Sequence, residues 1–195
     1  VVGLFVPPAV TSEESSNPAL DQAEGLHAKA RILVNCAGIG PPAKAVDRNG
    51  NPQPLAAFSK IVNVNLIGTF NVASKFAARA MTLDKVGEER GVIINTASVA
   101  AYDGQIGQCA YAASKSGIVG MTLPFAREMA QSAIRVVTIA PGLFLTPLLA
   151  TLPEEAQRSL GQQVPFPSRL GDPSEYARLG EAIVTNPLLH GGTIR

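Results

Sequence analysis

Tyr111 and Lys115, in the stretch CAYAASKSGIVGM from Cys109 to Met121, stand out in a segment otherwise made of small and apolar side chains. Four residues apart, they share one helix face. Two solvated surface side chains would give the same spacing, so the pair is weighed with its surroundings. A free phenol has a pKa near ~10 and is a poor base at neutral pH. A neighbouring ammonium stabilises the phenolate. Lowering the pKa by about three units takes about 4 kcal/mol, which a desolvated cation and a positively charged cofactor ring can together supply. Such a phenol exchanges a proton with an alcohol or ketone oxygen. Ser98 closes the apolar run GVIINTAS, thirteen residues before Tyr111, and its hydroxyl is placed to hold the same oxygen. Taking a proton from a carbinol oxygen is productive only if hydride leaves its carbon, and a nicotinamide is the natural acceptor.

Three short apolar runs, RILVNCAG, GVIINTAS and IRVVTIAPG, must position this trio. None alternates with polar residues, so each strand is expected to be covered on both faces, as in a parallel sheet. Helical patterns separate them in PLAAFSKIVNVNLIGTFNVASKFAARAM and GQCAYAASKSGIVGMTLPFAREMA. A further helix is expected in GDPSEYARLGEAIVTN, with Asp172 as N-cap and Pro173 in the first turn. Strands alternating with helices indicate the α/β class, a doubly wound parallel sheet in one domain over residues 1–195. Ligands of such sheets bind beyond the carboxyl ends of the strands. Those ends carry Asn35 to Gly38, Thr96 to Ser98, and Pro141-Gly142, so a hydroxyl, a phenol and an ammonium fall on one rim. The loop GPPAKAVDRNGNPQP has turn chemistry at Asn49-Gly50. The Pro-rich connection over residues 147–172 is expected to be a substrate-binding loop.

A chain of 195 residues can bury a sizeable core, about 70% of its unfolded surface. It is 46% hydrophobic and 16% charged with a formal net charge of +1, so charge does not favour nucleic acid or an anionic membrane as partner. No uninterrupted run reaches the roughly 18 apolar residues of a membrane span, and no signal-peptide pattern opens the sequence. A cytoplasmic location is expected, or the mitochondrial matrix if a transit peptide precedes Val1. Cys36 and Cys109 lie in apolar stretches without ligand spacing and are expected as reduced thiols; the bland reading of Cys36 is a small buried thiol. His27 and His190 belong to no cluster, so no metal site is expected.

Asn35-Cys-Ala-Gly38, VNVNLIGTFNV, Ser98, the Tyr111-x-x-x-Lys115 pair and APGLFLTPL resemble the short-chain dehydrogenase/reductase family, over about Phe5 to Arg195. The Pro-Phe-Pro-Ser-Arg and Leu-Phe-x-Thr-Pro segments are similar to one branch, the type-2 3-hydroxyacyl-CoA dehydrogenases, also described as hydroxysteroid dehydrogenases. The resemblance implies a Rossmann-like fold and hydride transfer between a nicotinamide and the hydroxyl carbon of a 3-hydroxyacyl-CoA. NAD is the expected cofactor and NADP the alternative. A hydroxysteroid dehydrogenase and an NADPH-dependent 3-oxoacyl carrier-protein reductase are the enzymatic alternatives; a non-catalytic scaffold of the same fold is the alternative of another class. A homotetramer is implied, with the helices holding Asn65 and Tyr111 offering apolar outer faces to a partner copy.

By the same resemblance Tyr111 is the general acid/base, and Lys115 lowers its pKa and binds the nicotinamide ribose. Ser98 orients the substrate oxygen, and Asn65 helps hold a proton-relay water beside the lysine. The bland reading of Asn65 is an amide bonding its own helix backbone. Asn35, Cys36, Ala37 and Gly38 would form the adenosine-side turn, where glycine allows close approach, and Val10 would offer its backbone N–H. After Pro141 and Gly142, Phe144 and Thr146 would grip the nicotinamide carboxamide. Gln108 would line the substrate side or serve as an ordinary helix-start amide.

The family's opening strand, Thr-Gly-x-x-x-Gly-x-Gly turn and helix seat a pyrophosphate on a helix N-terminus; this sequence has no such turn. GLFVPPAVTSEE instead resembles the third strand and the turn after it. A longer chain is therefore expected, with a β-α-β unit of roughly 50 residues ahead of Val1. Without that unit Val1 to Val6 lack a pairing partner and the strand at Ile32 becomes a bare apolar edge. Ala9 replaces an adenine-contacting aspartate, and Arg31 and Asn63 replace frequent acids. Pro18 is expected to interrupt the helix after Thr11, at a cost of about 3 kcal/mol.

Overall fold

The computed structural model describes residues 10–26, 29–150 and 152–195. The expectations for Val1 to Val6, Ala9 and His27 lie outside these residues. In chain order the elements are α1 (Glu13–Leu26), β1 (Ile32–Asn35), α2 (Leu55–Val62), α3 (Gly68–Ala80), β2 (Gly91–Thr96), α4 (Cys109–Ala130), β3 (Ile134–Ile139), α5 (Pro147–Ala150), α6 (Glu154–Gln162), α7 (Pro173–Thr185) and β4 (Thr193–Ile194). The strands form one parallel sheet in the order β1-β2-β3-β4. Helices on both faces make it the expected Rossmann-like α/β fold.

Alternation across β2 and β3 divides the core. Ile93, Ile134 and Val136 pack with Ala73, Phe76 and Ala77 of α3 and with Phe125 and Ala126 of α4. Val92, Ile94, Val137 and Ile139 face the other way, onto Tyr176, Leu179 and Ile183 of α7. β1 corrects the expectation that every strand is covered on both faces. Leu33 joins the α3–α4 side, but Ile32 and Val34 are 50% and 45% exposed. β1 is the sheet's edge and nothing among the described residues covers that face. Among the described residues β1 thus presents an unpaired apolar edge, and such an edge invites pairing.

α2 and α3 form one helix joined by a π-turn over Asn63–Ile67, where the Gly68 N–H bonds the Asn63 carbonyl five residues back. The apolar periodicity did not show this turn. By length and composition alone the continuous helix Leu55–Ala80 could cross a membrane, although polar residues break up its apolar run. Pro18 also departs from expectation, because α1 continues through it. The carbonyl it orphans belongs to Glu14, an exposed residue, so the lost bond leaves no buried acceptor unsatisfied. Asn71 of α3 ties α1 down by donating to the Val10 carbonyl at 2.8 Å and to Ser16 Oγ at 3.0 Å.

The 147–172 connection contains two helices, α5 and α6. Its ends are clamped together: the Gly171 N–H donates to the Leu143 carbonyl at 2.8 Å and the Leu145 N–H to the Gly171 carbonyl at 2.9 Å. α7 then starts as expected. The Asp172 carboxylate accepts from the Ser174 N–H at 2.8 Å, and Glu175 accepts from the Asp172 N–H at 2.7 Å. Buried Arg135 closes its far end, donating to the carbonyls of Ile183, Val184 and Leu189 and pairing with Glu89.

Candidate active site

Lys115 is 5% exposed, pointing from α4 toward the carboxyl end of β2. Its ammonium donates to the Thr96 carbonyl at 2.7 Å, where β2 stops. Burial brings its pKa down from 10.5 to about 8, opposed by the nearby Cys36 thiol. The group is therefore still charged at neutral pH, a desolvated cation held by a backbone dipole. Its Nζ lies 5.7 Å from the centroid of the half-buried Tyr111 ring, inside the range of cation–π attraction. The shared helix face expected for the pair is realised.

Ser98 follows β2 directly and N-caps the 3-10 turn Val99–Ala101, its Oγ accepting from the Ala100 N–H at 3.1 Å. That bond uses a lone pair and leaves the hydroxyl proton to be donated. The turn is fastened to the Tyr111 helix by Ser116, whose hydroxyl donates to the Ala101 carbonyl at 2.7 Å. Asn65 sits fully buried in the π-turn. Its amide does not bond its own helix backbone, which overturns the bland reading. It accepts from the Ile39 N–H at 2.8 Å and donates to the Ile39 carbonyl at 2.9 Å and to Ser114 Oγ at 3.0 Å. Asn65 thus holds the loop after β1 against α4.

Gly38 lies at the junction. A Cβ there would stand 3.4 Å from Asn65 Oδ1 and 3.5 Å from Lys115 Nζ, so the backbone passes close over both groups. Ala37 and Cys36 beside it are exposed. Cys36 is a free thiol at the surface, which overturns its bland reading as a small buried thiol, because β1 is an edge strand among the described residues; Cys109 is likewise free and exposed. Asn35 donates to Asn95 Oδ1 at 3.0 Å. Asn95 is fully buried, yet its Nδ2 has no partner among the described residues. Buried amides are normally satisfied, so the rim is a polar shell with a donor to spare.

Pro141 bonds the Ser98 turn through its carbonyl, which accepts from the Val99 N–H at 3.0 Å. Gly142 is exposed beside it. Phe144 and Thr146 lead into α5, with the Thr146 N–H donating to the Phe144 carbonyl at 2.8 Å. Phe144 meets Tyr176 of α7 edge to face, with ring centroids 6.4 Å apart at 89°. Val10 reaches α3 through its carbonyl, away from these groups. Gln108 stands at the N-cap of α4 without a side-chain cap bond, and its Oε1 accepts from the upstream Gln105 N–H at 2.9 Å.

Sequence reasoning missed Tyr176, whose hydroxyl lies 2.6 Å from Thr96 Oγ1. Its one signal was being among just three tyrosines. Two clefts among the described residues lie elsewhere: about 320 Å³ beside α1 and α3, lined by Lys29, Lys75 and Arg79, and about 360 Å³ at Lys44, Asp47 and Arg48. Asp47 in the second is a carboxylate held low by hydrogen bonds from Asn51, a turn contact, whereas the open rim joins a buried ammonium to a phenol and a free hydroxyl. Its cation and the backbone exposed at Gly38 suit the ribose and nicotinamide end of a dinucleotide. No glycine-rich phosphate turn accompanies them.

Comparison with known proteins agrees with this geometry. The chain is 54% identical over 194 residues to 3-hydroxyacyl-CoA dehydrogenase type-2 of Mus musculus, a match covering 98% of the chain and 74% of the relative. A solved 3-hydroxyacyl-CoA dehydrogenase type-2 from Mycobacterium avium superposes with a TM-score of 0.92 at 40% identity, covering 98% of this chain and 74% of that one. A 3-oxoacyl-[acyl-carrier-protein] reductase from Thermotoga maritima is more distant, 33% identical over 87% of the chain and 65% of its own length. The family model for short chain dehydrogenases matches residues 3–157. Sequence, fold and rim together place this chain in the short-chain dehydrogenase family of oxidoreductases.

Proposed function

We propose that the protein interconverts 3-hydroxyacyl-CoA and 3-oxoacyl-CoA thioesters, with NAD as the hydride carrier and Tyr111 as the general acid/base. The observation that carries this reading is the desolvated Lys115 ammonium 5.7 Å from the Tyr111 ring centroid. Bound nicotinamide supplies the hydride acceptor or donor. In the oxidative direction the substrate hydroxyl passes its proton to the Tyr111 oxygen while Ser98 donates a hydrogen bond to the same substrate oxygen. Lys115 stabilises negative charge on the Tyr111 oxygen whenever its proton is away. Asn65 keeps the Gly38-Ile39 backbone seated beside Lys115, where the ribose hydroxyls would lie.

The acyl-CoA assignment is supported by the higher similarity to relatives of that name than to the carrier-protein reductase. Leu145 and Leu152, 46% and 39% exposed at the two ends of α5, are suited to an acyl chain, which makes the 147–172 segment the substrate-binding region of one domain spanning residues 1–195. Ile67 and Phe70, both more than half exposed on the outer face of the long helix, support a homotetramer built through that face. Replacing Tyr111 with Phe tests the chemistry. Turnover of a 3-hydroxyacyl-CoA should fall by at least about 100-fold, while NADH binding, followed by fluorescence, stays within twofold of the parent. Activity within tenfold of the parent would remove Tyr111 from this role.

A further inference from the structure

Thr96 has two jobs that meet in one residue. Its carbonyl holds the Lys115 ammonium at 2.7 Å, and its side-chain hydroxyl lies 2.6 Å from Tyr176 OH. Tyr176 comes from the first turn and a half of α7, eighty residues further along the chain, just after the Asp172 capping box. Its ring rests on the Val92, Ile94, Val137 and Ile139 core and stands edge-on to Phe144. Phe144 is also pressed from beneath by Gly171, where a Cβ would come within 2.7 Å of its ring. The same Gly171 clamps the two ends of the 147–172 segment. One phenol therefore touches the strand end that anchors the cation and the aromatic residue at the root of the substrate-binding segment.

We propose that Tyr176 is a positioning residue that couples the seating of the 147–172 segment to the strand end holding Lys115. This rests on the dehydrogenase reading above. Thr96 is the last residue of β2, and beyond Ala97 the chain turns away at Ser98. The Thr96 carbonyl faces the ammonium, so the direction of its dipole depends on how firmly the strand end is held. The hydroxyl contact to Tyr176 supplies that hold from the opposite face of the sheet, since Tyr176 packs with α7 and Lys115 belongs to α4. Tyr176 itself does not compete as a proton carrier, because burial, only partly offset by the Thr96 contact, pushes its hydroxyl up to about 12. It acts through Thr96 and Phe144, not on the substrate.

Three variants of the intact protein test this: Tyr176→Phe, Thr96→Val and their double. Each single variant loses the contact between the two hydroxyls and keeps the packing; Thr96→Val also gives up the longer 3.6 Å contact to the Cys36 thiol. With an acyl-CoA substrate, kcat should fall about tenfold in each, equivalent to one hydrogen bond, with KM unchanged and thermal unfolding within a few degrees of the parent. The double variant should lose no more than either single one, as expected for two ends of one contact. A second readout needs no turnover. Acetic anhydride labelling of Lys115, read by peptide mass spectrometry, should be about tenfold faster in Tyr176→Phe because the ammonium escapes its carbonyl more often. Labelling of the exposed Lys44 serves as control. Equal Lys115 labelling in parent and variant, or additive losses in the double, would overturn the role of Tyr176. A parent without nicotinamide-dependent turnover would refute the dehydrogenase reading instead, and the labelling result would still decide for or against Tyr176.

Discussion

Lys115→Met gives the sharpest physical test, because the lysine is required by the chemistry and opposed by the fold. Burial holds its pKa at about 8 against an ordinary 10.5. The folded-state value is the lower one, so between these two values the unfolded chain binds more protons than the native one. The parent's stability therefore rises with pH across that window. Below about pH 8 the charged lysine costs the native state about 3 kcal/mol. At about pH 9.5 the same linkage leaves about 1 kcal/mol. Methionine fills nearly the same volume and carries no charge. It leaves the Thr96 carbonyl without its donor, a loss of about 1–3 kcal/mol that does not vary with pH. Urea denaturation of parent and variant at about pH 6.5 and about pH 9.5 separates the two contributions. We expect the parent to gain about 2 kcal/mol on the variant between those pH values, and the variant to be inactive at both. A stability difference that stays flat with pH, or moves the other way, would show that Lys115 is not the desolvated cation on which the mechanism depends.

Two further substitutions probe the groups around that cation. Gly171→Ala places a Cβ within 2.7 Å of the Phe144 ring. It should cost about 1–3 kcal/mol of stability through overpacking, with NADH affinity lowered about tenfold in a fluorescence titration; unchanged affinity would separate Phe144 from the cofactor. Asn65→Ala leaves the Ile39 N–H and carbonyl without their side-chain partner, which should cost about 2 kcal/mol. That loss is read as a lower urea midpoint at unchanged denaturant slope.

Local pattern carried much of this protein. The Tyr111 and Lys115 spacing, the Asp172 and Pro173 helix start, and the strand ends at Asn35, Thr96 and Pro141 all depend on residues within a few positions of one another. Side-chain periodicity and capping chemistry record such relations directly, and the resemblance to a known family sharpened them. What folding added was contact between distant segments. Thr96 anchors Lys115 through a backbone carbonyl, a group every residue possesses, so no side chain announced it. Tyr176 reaches Thr96 across eighty residues, and its tyrosine in GDPSEYA could as well have been an ordinary core aromatic. Asn65 bonds Ile39 because a π-turn rotates it inward, and apolar spacing does not distinguish that turn from an unbroken α-helix. Cys36 and the Ile32 face of β1 read as core from their apolar neighbours and are exposed. Hydrophobicity says what a side chain gains by burial, but whether another element arrives to bury it is decided by the assembled fold.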